Sequence, residues 1–439
     1  TGLLIEQDGS LIHHTSGVEG TVKRSVGAAD WGDWEDGWHF FASPVSGQAF
    51  DTVGGFVTAG AGNDYDLYAW SEAGHAWVNY KNTTDPPLFA DLNGGNQFVP
   101  GRGYLCAYSQ GGEKRFSGML NVSDIPVGGL QVTGVSAPHR GWHLLGNPFP
   151  CSITWFDGWS SANIGGVAQV WSEEGQSYTP RNPGEVIPPC NGFMVQVQAG
   201  PGGTGSLIIP AAAKLHGSQS WYKEAAYPVV RLVARDLDFP SFQECQVRLN
   251  PLSSGQFDPD FDGRFLPGHA PVFCAVQAGE RLSVLSVPVQ DGEIVIQLLF
   301  SRSRGTRYSI EASGCAGAGG CFLFDRLTGR RFDLAGEQAY HFTAGNGDEP
   351  ARFELRISPV NPAGPPDGQA NIAFRGDRLV VDHPEGARLE LIDLTGRTVM
   401  QKSLPGDGVT TLVPGLPAGY YLVRLSGPGL AVVSRVILR

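Results

Sequence analysis

Short runs of alternating apolar and polar residues recur along most of the chain, and turn-forming residues separate them. Residues 228–234 read Pro-Val-Val-Arg-Leu-Val-Ala, and residues 293–299 read Glu-Ile-Val-Ile-Gln-Leu-Leu. Clusters of Gly, Pro, Asn and Asp lie between such runs. A period of two with turn chemistry between the runs is typical of β-strands, and few windows place apolar residues at helical spacing. The pattern predicts an all-β protein.

One β-module occurs twice in the N-terminal half of the chain. Residues 37–45 read Gly-Trp-His-Phe-Phe-Ala-Ser-Pro-Val, and residues 141–149 read Gly-Trp-His-Leu-Leu-Gly-Asn-Pro-Phe. A Trp-Ser-Glu block follows each of these segments. The correspondence predicts a duplicated module with copies at about 37–125 and 141–215. We expect the copies to lie side by side and to bury their Trp and Phe faces against each other.

A change in strand length and a Pro-rich segment indicate further boundaries. Longer strands predict a β-sandwich or jelly roll, and the Pro-rich segment predicts a semi-rigid linker. The predicted parts are the end of an upstream β-repeat region or a linker at 1–30, the duplicated module at 31–217, the β-sandwich at 218–358, the linker at 359–370 and a small antiparallel sandwich at 371–439. The chain begins without a signal-peptide pattern, and we expect it to be the C-terminal part of a longer precursor.

Net charge and the length of apolar runs argue against two functional classes, nucleic-acid binding and membrane spanning by a helix. The formal net charge is -12, whereas a protein that binds nucleic acid needs a basic stripe to neutralise phosphates. No apolar stretch reaches the length that would span a bilayer as a helix. The sequence therefore predicts no nucleic-acid partner and no transmembrane segment.

The end of the chain carries a distinctive series of short strands and turns. Residues 389–397 read Leu-Glu-Leu-Ile-Asp-Leu-Thr-Gly-Arg, residues 416–424 read Leu-Pro-Ala-Gly-Tyr-Tyr-Leu-Val-Arg, and residues 433–439 read Val-Ser-Arg-Val-Ile-Leu-Arg. The Thr-Gly pair predicts a hairpin turn, and the Pro and Gly of the second block turn the chain into the next strand. Such a unit is expected to fold as an antiparallel sandwich.

These blocks, in this order and at the chain end, resemble the C-terminal sorting domain of proteins exported by the type IX secretion system of Bacteroidetes. The resemblance implies an immunoglobulin-like sandwich that acts as a secretion signal. It also implies an extracellular or cell-surface location, reached across the outer membrane. Its expected partners are the type IX translocon, the outer-membrane β-barrel shuttle protein of that translocon, and a surface sortase. The alternative is a terminal immunoglobulin-like domain without a sorting role.

Recognition of the signal falls, by this resemblance, on residues of the three terminal blocks. They are Asp393, Thr395, Gly396, Arg397, Pro417, Gly419, Tyr420, Tyr421, Val423, Arg435 and Arg439. The duplicated module also resembles one that precedes sorting domains in Bacteroidetes surface proteins, and that resemblance implies no enzymatic activity.

An acidic segment in the middle of the chain is a candidate calcium site. Asp258, Asp260 and Asp262 occupy alternate positions before a Gly, as in the first half of a calcium-binding loop. Position twelve is His269 instead of the bidentate Glu, which excludes an EF-hand. Two interpretations stay open, a simpler surface calcium site and an acidic turn between strands. No other cofactor is expected.

The chain has seven cysteines, an odd number. Cys315 and Cys321 flank a flexible Ala-Gly-Ala-Gly-Gly loop, and an exported protein permits disulfides. We predict a disulfide between these two. Cys106 lies within an apolar run and is expected to be a small buried hydrophobic residue.

The sequence contains none of the familiar catalytic motifs, such as a Gly-x-Ser-x-Gly elbow or a His-Glu-x-x-His pair. Glu72, Glu173 and Glu174 are conceivable glycosidase acids, but exposed turn carboxylates are the simpler interpretation. We therefore predict that the chain is not an enzyme. The leading hypothesis is a C-terminal region of a type IX cargo, displayed as an adhesive or structural protein.

The alternative hypothesis is the carbohydrate-binding accessory region of a secreted hydrolase. Its aromatic candidates for stacking on a surface glycan are Trp70, Trp77, Tyr80, Trp171 and Tyr178. The matched residues His39 and His143 are expected to hydrogen-bond turns beside their Trp neighbours, although a pair of ligands or bases is the other interpretation.

Overall fold

The computed structural model of the protein describes most of the chain. The described residues are 2–33, 35–58, 63–134, 140–217, 228–289, 292–315, 320–335, 339–358, 371–375, 378–393, 396–406, 408–417, 419–427 and 430–438. Within these ranges strands dominate, and helical structure is limited to α1 (Phe89–Asn93) and a 3-10 turn (Ala211–Ala213). The predicted all-β, multidomain fold is confirmed. The predicted linker at 359–370 lies outside the described residues.

The first repeat copy is built from two small sheets. Its strands are β1 (Leu3–Ile5), β2 (Glu19–Val26), β3 (His39–Ala42), β4 (Val45–Ser46), β5 (Tyr65–Ser71), β6 (Ala76–Asn79), β7 (Gly103–Tyr108) and β8 (Gly112–Leu120). The sheet orders are β3-β7-β5-β6 and β1-β2-β8-β4. Phe41, Phe56 and Phe116 are buried and contact one another at ring-centroid distances of 4.8 to 6.2 Å. These rings give the copy its own hydrophobic core.

The second repeat copy has the same central sheet. Its strands are β9 (Ile125–Gln131), β10 (Trp142–Gly146), β11 (Ser152–Thr154), β12 (Ser161–Ala162), β13 (Ala168–Ser172), β14 (Ser177–Arg181), β15 (Val186–Ile187), β16 (Gly192–Gln196), β17 (Thr204–Ile209) and β18 (Lys214–Leu215). The sheet orders are β10-β16-β13-β14, β12-β17-β9 and β15-β11-β18. The order β10-β16-β13-β14 matches β3-β7-β5-β6 strand for strand, as the duplication predicted.

The strand that precedes each Gly-Trp-His segment is also duplicated. β2 pairs with β8 from Glu19 opposite Met119 to Val26 opposite Gly112, and β9 pairs with β17 in the equivalent place. Val22 of β2 is fully buried in the core of the first copy. In the structure this part of the 1–30 segment therefore belongs to the first repeat copy.

The third domain is one continuous set of hydrogen-bonded strands. They are β19 (Val229–Asp236), β20 (Ser241–Leu249), β21 (Gly263–Arg264), β22 (Val272–Gln277), β23 (Glu280–Val287), β24 (Ile294–Ser301), β25 (Arg307–Ser313), β26 (Gly320–Asp325), β27 (Arg330–Asp333), β28 (Tyr340–Thr343) and β29 (Phe353–Ser358). The order is β27-β26-β29-β24-β22-β23-β20-β19-β25-β28, with β21 paired to β23. Phe342 of β28 packs 4.9 Å from both Phe300 and Phe353, so distant strands face each other as layers of a sandwich.

A buried ion pair lies beside this aromatic core. Arg352 donates to Asp325 through Nε at 3.1 Å and through a terminal guanidinium nitrogen at 2.8 Å. The side chains are 4% and 1% exposed, and the Tyr340 hydroxyl donates to the same carboxylate at 2.8 Å. Burial alone would raise the pKa of Asp325, but these hydrogen bonds and the guanidinium charge hold that pKa below its usual value. The carboxylate is therefore fully partnered.

The second repeat copy is joined to the sandwich domain by specific hydrogen bonds. The Gln169 amide donates to the Ser283 hydroxyl at 2.6 Å, and the Ser177 hydroxyl donates to the carbonyl of Phe242 at 2.7 Å. Both Gln169 and Ser283 are buried. Because buried polar groups of this kind require defined geometry, the contact fixes the sandwich domain against the repeat pair.

The C-terminal domain is a separate two-sheet sandwich. Its strands are β30 (Asn371–Arg375), β31 (Arg378–His383), β32 (Ala387–Asp393), β33 (Thr398–Leu404), β34 (Gly408–Leu412), β35 (Gly419–Gly427) and β36 (Leu430–Leu438). The sheet orders are β30-β31-β34 and β33-β32-β35-β36. Alternate residues such as Val381, Leu391 and Val423 are buried between the sheets. The domain thus has a hydrophobic core of its own.

Candidate functional site

The two repeat copies contact each other through a reciprocal pair of hydrogen bonds. The indole nitrogen of Trp70 donates to the carbonyl oxygen of Trp142 at 2.6 Å, and the indole nitrogen of Trp171 donates to the carbonyl oxygen of Trp38 at 2.9 Å. Trp70 and Trp171 are equivalent residues, as are Trp38 and Trp142. The copies are therefore related by an approximate twofold axis, as in an isologous dimer contained in one chain.

Backbone contacts follow the same symmetry. The amide of Ala42 donates to the carbonyl of Cys190 at 2.9 Å, and the amide of Gly146 donates to the carbonyl of Gly101 at 3.0 Å. Ala42 and Gly146 end the equivalent strands β3 and β10. The predicted side-by-side packing of the copies is confirmed, and it includes an exchange of hydrogen-bond partners.

The glycines that open the Gly-Trp-His segments have a conformational role. Gly37 and Gly141 have φ values of +70° and +73°. A Cβ on Gly37 would lie 2.3 Å from the Cβ of Ala29, and a Cβ on Gly141 would lie 2.8 Å from the carbonyl oxygen of Val197. Only glycine combines a left-handed backbone with such close approach.

Glu72 and Glu173 also form hydrogen bonds with residues of the other copy. Glu72 is buried and accepts hydrogen bonds from the backbone amides of Thr133 at 3.0 Å and Gly141 at 2.8 Å. Burial alone would raise the pKa of Glu72, but the hydrogen bonds from Thr133 and Gly141 outweigh it and lower the pKa. Glu173 lies 2.6 Å from Nδ1 of His39. Both carboxylates thus hold the repeat pair together.

The two matched histidines have different partners. His39 contacts Glu173 through Nδ1 and the carbonyl of Gly27 through Nε2, at 3.3 Å. His143 contacts the carbonyl of Gln131 through Nε2 at 2.8 Å, and burial lowers the pKa of its ring. Each imidazole joins its strand to a neighbouring segment, so the pair is not a matched set of ligands.

An aromatic cavity lies where the copies meet the sandwich domain. Its volume is about 350 Å³. Rings from both copies line it, together with one loop of the sandwich domain. The lining residues are Trp38, Phe40, Tyr68, Trp77, Leu105, Trp171, Tyr178, Pro267, Gly268 and His269. A concave site of this size lined mostly by aromatic rings is typical of a small-ligand pocket.

Phe40 is the centre of the aromatic wall. Its ring centroid lies 5.8 Å from that of Trp77, 6.1 Å from that of Trp171 and 5.9 Å from that of Tyr178. Phe40 and Tyr178 are buried, whereas Trp77 and Trp171 are partly exposed. The wall therefore has a rigid inner layer and an outer layer within reach of a ligand.

The aromatic residues that the sequence offered for glycan stacking fall into two groups in the structure, those that line the cavity and those that do not. Trp77, Trp171 and Tyr178 line the cavity. Trp70 packs against Trp77 and donates across the axis, and Tyr80 packs against Phe50 in the core of the first copy. Three of these residues thus line the cavity, and the other two pack elsewhere in the repeat pair.

The sandwich domain closes one side of the cavity with the loop Pro267, Gly268 and His269. The amide of His269 donates to the carbonyl of Gln176 at 2.9 Å, and its ring lies 5.9 Å from that of Trp171. Burial lowers the pKa of His269, although Glu35 and Asp33 act in the opposite direction. Burial thus disfavours the positively charged form of the ring. Sequence reasoning missed this role because the loop is remote from the repeats in sequence.

A second, acidic cavity adjoins the aromatic one. Its volume is about 190 Å³, and Trp38 and Trp171 line both cavities. The other lining residues are Gly27, Ala28, Glu35, Asp36, Gly37, His39, Glu173 and Gln176. The two cavities therefore share a wall of indole rings, with carboxylates on one side.

The candidate calcium residues are arranged as a turn. The carboxylate of Asp262 is buried and accepts from the amides of Asp258 and Ser286, each at 2.7 Å. The carboxylate of Asp258 accepts from the amide of Ser254 at 2.7 Å, and Asp260 is exposed. No group of three metal-binding side chains occurs within the ranges that the structure describes. The geometry favours the acidic turn over the calcium site.

The two cysteines of the predicted disulfide are neighbours. Cys315 and Cys321 are both buried and are present as thiols. A hydrogen bond between them lowers the pKa of Cys315 and raises the pKa of Cys321. The disulfide stays a prediction. Cys106 is buried with a raised pKa, as expected for a hydrophobic core residue.

The three terminal blocks meet at one end of a sheet. Asp393, at the end of β32, lies opposite Tyr421 of β35. Gly419 and Tyr421 in turn lie opposite Leu438 and Val436 of β36. The turn after β32, the turn before β35 and the end of β36 are thus adjacent.

Local contacts order the two turns at this end. The amide of Arg397 donates to the Asp393 carboxylate at 3.0 Å, and Nε of Arg397 lies 3.1 Å from the same group. Gly396 has φ of +84°. The Tyr421 hydroxyl donates to the carbonyl of Pro417 at 2.9 Å, and Val423 is buried.

Some residues of the three terminal blocks are described only in part. Thr395 and Arg439 lie outside the described residues. Gly419, Tyr420 and Arg435 are described through their strand pairing, with Tyr420 opposite Ile437 and Arg435 opposite Leu422.

Comparisons with known proteins add little to this geometry. No helix within the described ranges has the length and apolar character to cross a membrane. No family model matches the chain, and no curated protein matches it. A solved structure described as "Biofilm associated protein - BSP domain" is 11% identical, with 98% of this chain and 99% of that chain covered, at a TM-score of 0.16. Similarity at that level carries no argument about fold or function.

Proposed function

We propose that the chain is the C-terminal region of a cell-surface protein exported by the type IX secretion system, with residues 371–439 as the sorting signal. The observation that carries this proposal is the meeting of three terminal blocks at one end of one sheet. Asp393 lies opposite Tyr421, which lies opposite Val436. A receptor that contacts this end reads all three blocks at once.

The independence of the C-terminal domain supports the same proposal. Its core is formed by residues of its own strands, including Leu379, Leu389 and Leu425. The preceding segment 359–370 is rich in proline and is expected to act as a spacer. A sorting signal that is recognised and then removed has to be separable in this way.

Deletion of residues 371–439 tests the proposal in a Bacteroidetes host with an active type IX system. The full chain is expected at the cell surface, and the truncated chain is expected in the periplasm. Normal display of the truncated chain would overturn the proposal.

A charge reversal separates recognition from folding. Arg397→Glu alters the meeting point of the blocks, where the Arg397 side chain is 78% exposed. Arg388→Glu is the control, because Arg388 lies near the opposite end of β32. Display is expected to fall for Arg397→Glu and to persist for Arg388→Glu.

The domains before the signal act, in this proposal, as non-catalytic display modules. Of the candidate glycosidase acids, Glu72 and Glu173 are engaged in contacts between the repeat copies, and Glu174 is exposed. Purified chain is expected to show no turnover on a panel of glycosidase and peptidase substrates. Turnover that depends on either acid would contradict this part of the proposal.

A second function, glycan binding by the repeat pair, is favoured by the aromatic cavity. Partly exposed indole rings offer flat apolar faces on which sugar rings stack. Trp77→Ala is expected to abolish binding on a glycan array, because Trp77 is partly exposed and lines the cavity. Trp31→Ala is the matched control, since Trp31 is 43% exposed and is not among the residues that line the cavity. Equal binding by both variants would exclude the cavity as the glycan site.

A further inference from the structure

The junction of the aromatic and acidic cavities carries an inference about the ligand. Trp38 and Trp171 line both cavities. One side of this indole wall therefore faces aromatic rings, and the acidic cavity adds Glu35, Asp36 and Glu173. A ligand bound along the wall meets flat apolar faces and negative charge together.

Among the described residues, the carboxylates of the acidic cavity have few cationic neighbours. Asp36 accepts from the backbone amide of Asp30 at 3.0 Å, a contact that brings no opposite charge. Glu173 contacts His39, and its side chain is 59% exposed. Glu35 lies 3.7 Å from the guanidinium of Arg304, which offsets part of its charge.

Positive charge is scarce on the cavity walls. None of the described residues that line either cavity is Lys or Arg. The two histidines on the walls are His39, which contacts Glu173, and His269, whose pKa is lowered by burial. The walls are therefore suited to a cation. The net charge of -12 also attracts cations to the protein over a longer range.

We propose that the site takes an amino sugar with a free, positively charged amine, in preference to a neutral sugar. The proposal rests on the glycan-binding function proposed above and specifies its ligand class. The sugar ring stacks on the indole faces, while its ammonium group is attracted to the ring faces and to the adjacent carboxylates. A neutral sugar gains the stacking without the charge attraction.

Calorimetric titration of the full chain distinguishes the alternatives with three ligands of equal length. They are the tetrasaccharides of glucosamine, N-acetylglucosamine and glucose, all β-1,4-linked. At mildly acidic pH and low salt, the glucosamine ligand is expected to bind about tenfold more tightly than the other two. The preference is expected to shrink as salt is added.

Two adjacent glutamates provide a matched pair of variants. Glu173→Gln is expected to remove most of the preference for the charged sugar, while stacking retains binding to all three. Glu174→Gln is the control, because Glu174 is exposed and is not among the residues that line either cavity. Asp36→Asn provides a second test that leaves the contact of Glu173 with His39 intact.

The outcomes separate this inference from the function on which it rests. Equal affinity for all three sugars, or a preference unchanged in both Glu173→Gln and Asp36→Asn, would overturn the charged ligand and leave glycan binding in place. Binding of none of the three sugars, or binding unaffected by Trp77→Ala, would overturn both. The charged-sugar proposal is supported if the parent binds the charged sugar more tightly, Glu173→Gln loses this preference and Glu174→Gln keeps it.

Discussion

The indole nitrogen of Trp171, in the second repeat copy, lies 2.9 Å from the backbone carbonyl oxygen of Trp38 in the first. The equivalent bond runs from the first copy to the second: the indole nitrogen of Trp70 donates to the carbonyl oxygen of Trp142 at 2.6 Å. Each copy thus donates an indole hydrogen bond to a backbone carbonyl of the other. The repeat pair is stabilised as one unit, and the aromatic cavity depends on both halves.

Trp171→Phe removes one of these donors while keeping an aromatic ring. The Trp38 carbonyl then loses the indole donor, and we expect the free energy of unfolding to fall by about 1 to 3 kcal/mol. Urea denaturation measures the change. Trp31→Phe, at an exposed position, is expected to stay within about 0.5 kcal/mol of the parent. Equal stability of both variants would contradict a structural role for the bond.

Glu72→Gln probes the buried carboxylate that joins the copies. At neutral pH we expect a loss of about 1 to 3 kcal/mol, because the Gln amide group presents a donor to the amides of Thr133 and Gly141. The folded-state pKa of Glu72 is lowered, so its contribution is present above its ordinary pKa and is lost as pH falls through the lowered value.

The stability difference between parent and Glu72→Gln is therefore expected to shrink as the pH is lowered below about 4. Denaturation curves over a series of pH values measure it. Glu174→Gln, with an exposed carboxylate, provides the reference. A difference that does not vary with pH would show that Glu72 acts through packing alone.

Breaking the buried ion pair of Asp325 and Arg352 is expected to lower the free energy of unfolding more than the changes at Trp171 and Glu72. Arg352→Met leaves the carboxylate without its cation in a site that is 1% exposed, and we expect a loss of about 3 to 5 kcal/mol. The double variant Asp325→Leu with Arg352→Met is expected to recover much of this loss.

The exposed pair Arg235 and Glu311 is the control for this comparison. Its side chains are 42% and 44% exposed, and Arg235→Met is expected to cost less than about 1 kcal/mol. Chemical denaturation of the three variants compares the two pairs. A similar cost for Arg235→Met and Arg352→Met would contradict the importance of burial.

Cys315 is expected to be the reactive member of the cysteine pair, because the hydrogen bond from Cys321 lowers its pKa. Mild oxidation is expected to join the two, and the short loop that they close predicts a stabilisation of about 2 kcal/mol. Peptide mapping by mass spectrometry identifies the bond. Cys106, with a pKa raised by burial, is expected to remain unmodified. Modification of Cys106 before Cys315 would contradict the assignment.

Gly268→Ala tests whether the sandwich loop shapes the cavity. The added Cβ would lie 2.6 Å from the carbonyl oxygen of Gln176, so the loop has to move away from the repeat pair. We expect glycan affinity to fall several-fold with a stability loss of about 1 kcal/mol. Gly255→Ala, with open space around its Cβ, is expected to change neither quantity. Calorimetry and thermal melting measure both.

The parts of this structure that were predictable depend on local sequence. The two Gly-Trp-His segments predicted equivalent strands, and β3 and β10 occupy equivalent positions in their sheets. Likewise, alternation in the tail predicted a sandwich, because a period of two determines which side chains are buried. Such features need no knowledge of distant residues.

Other features required the tertiary structure. The exchange between Trp171 and Trp38 joins residues that are remote in sequence, and a repeat pattern does not specify which copy supplies the partner. In the sequence, His269 stands out only as the twelfth position of a calcium-type loop, yet in the structure it borders the aromatic cavity. The alternating aspartates are equally compatible with a metal site and a turn, and only the backbone donors around Asp262 distinguish the two.

The approximate twofold axis does not produce two equal binding faces. Trp38 borders the cavity, whereas its counterpart Trp142 is only 1% exposed. One tryptophan of the equivalent pair thus borders the cavity, whereas the other is part of the hydrophobic core. On the glycan-binding proposal this site is monovalent, so firm attachment to a polymeric surface requires many chains displayed side by side.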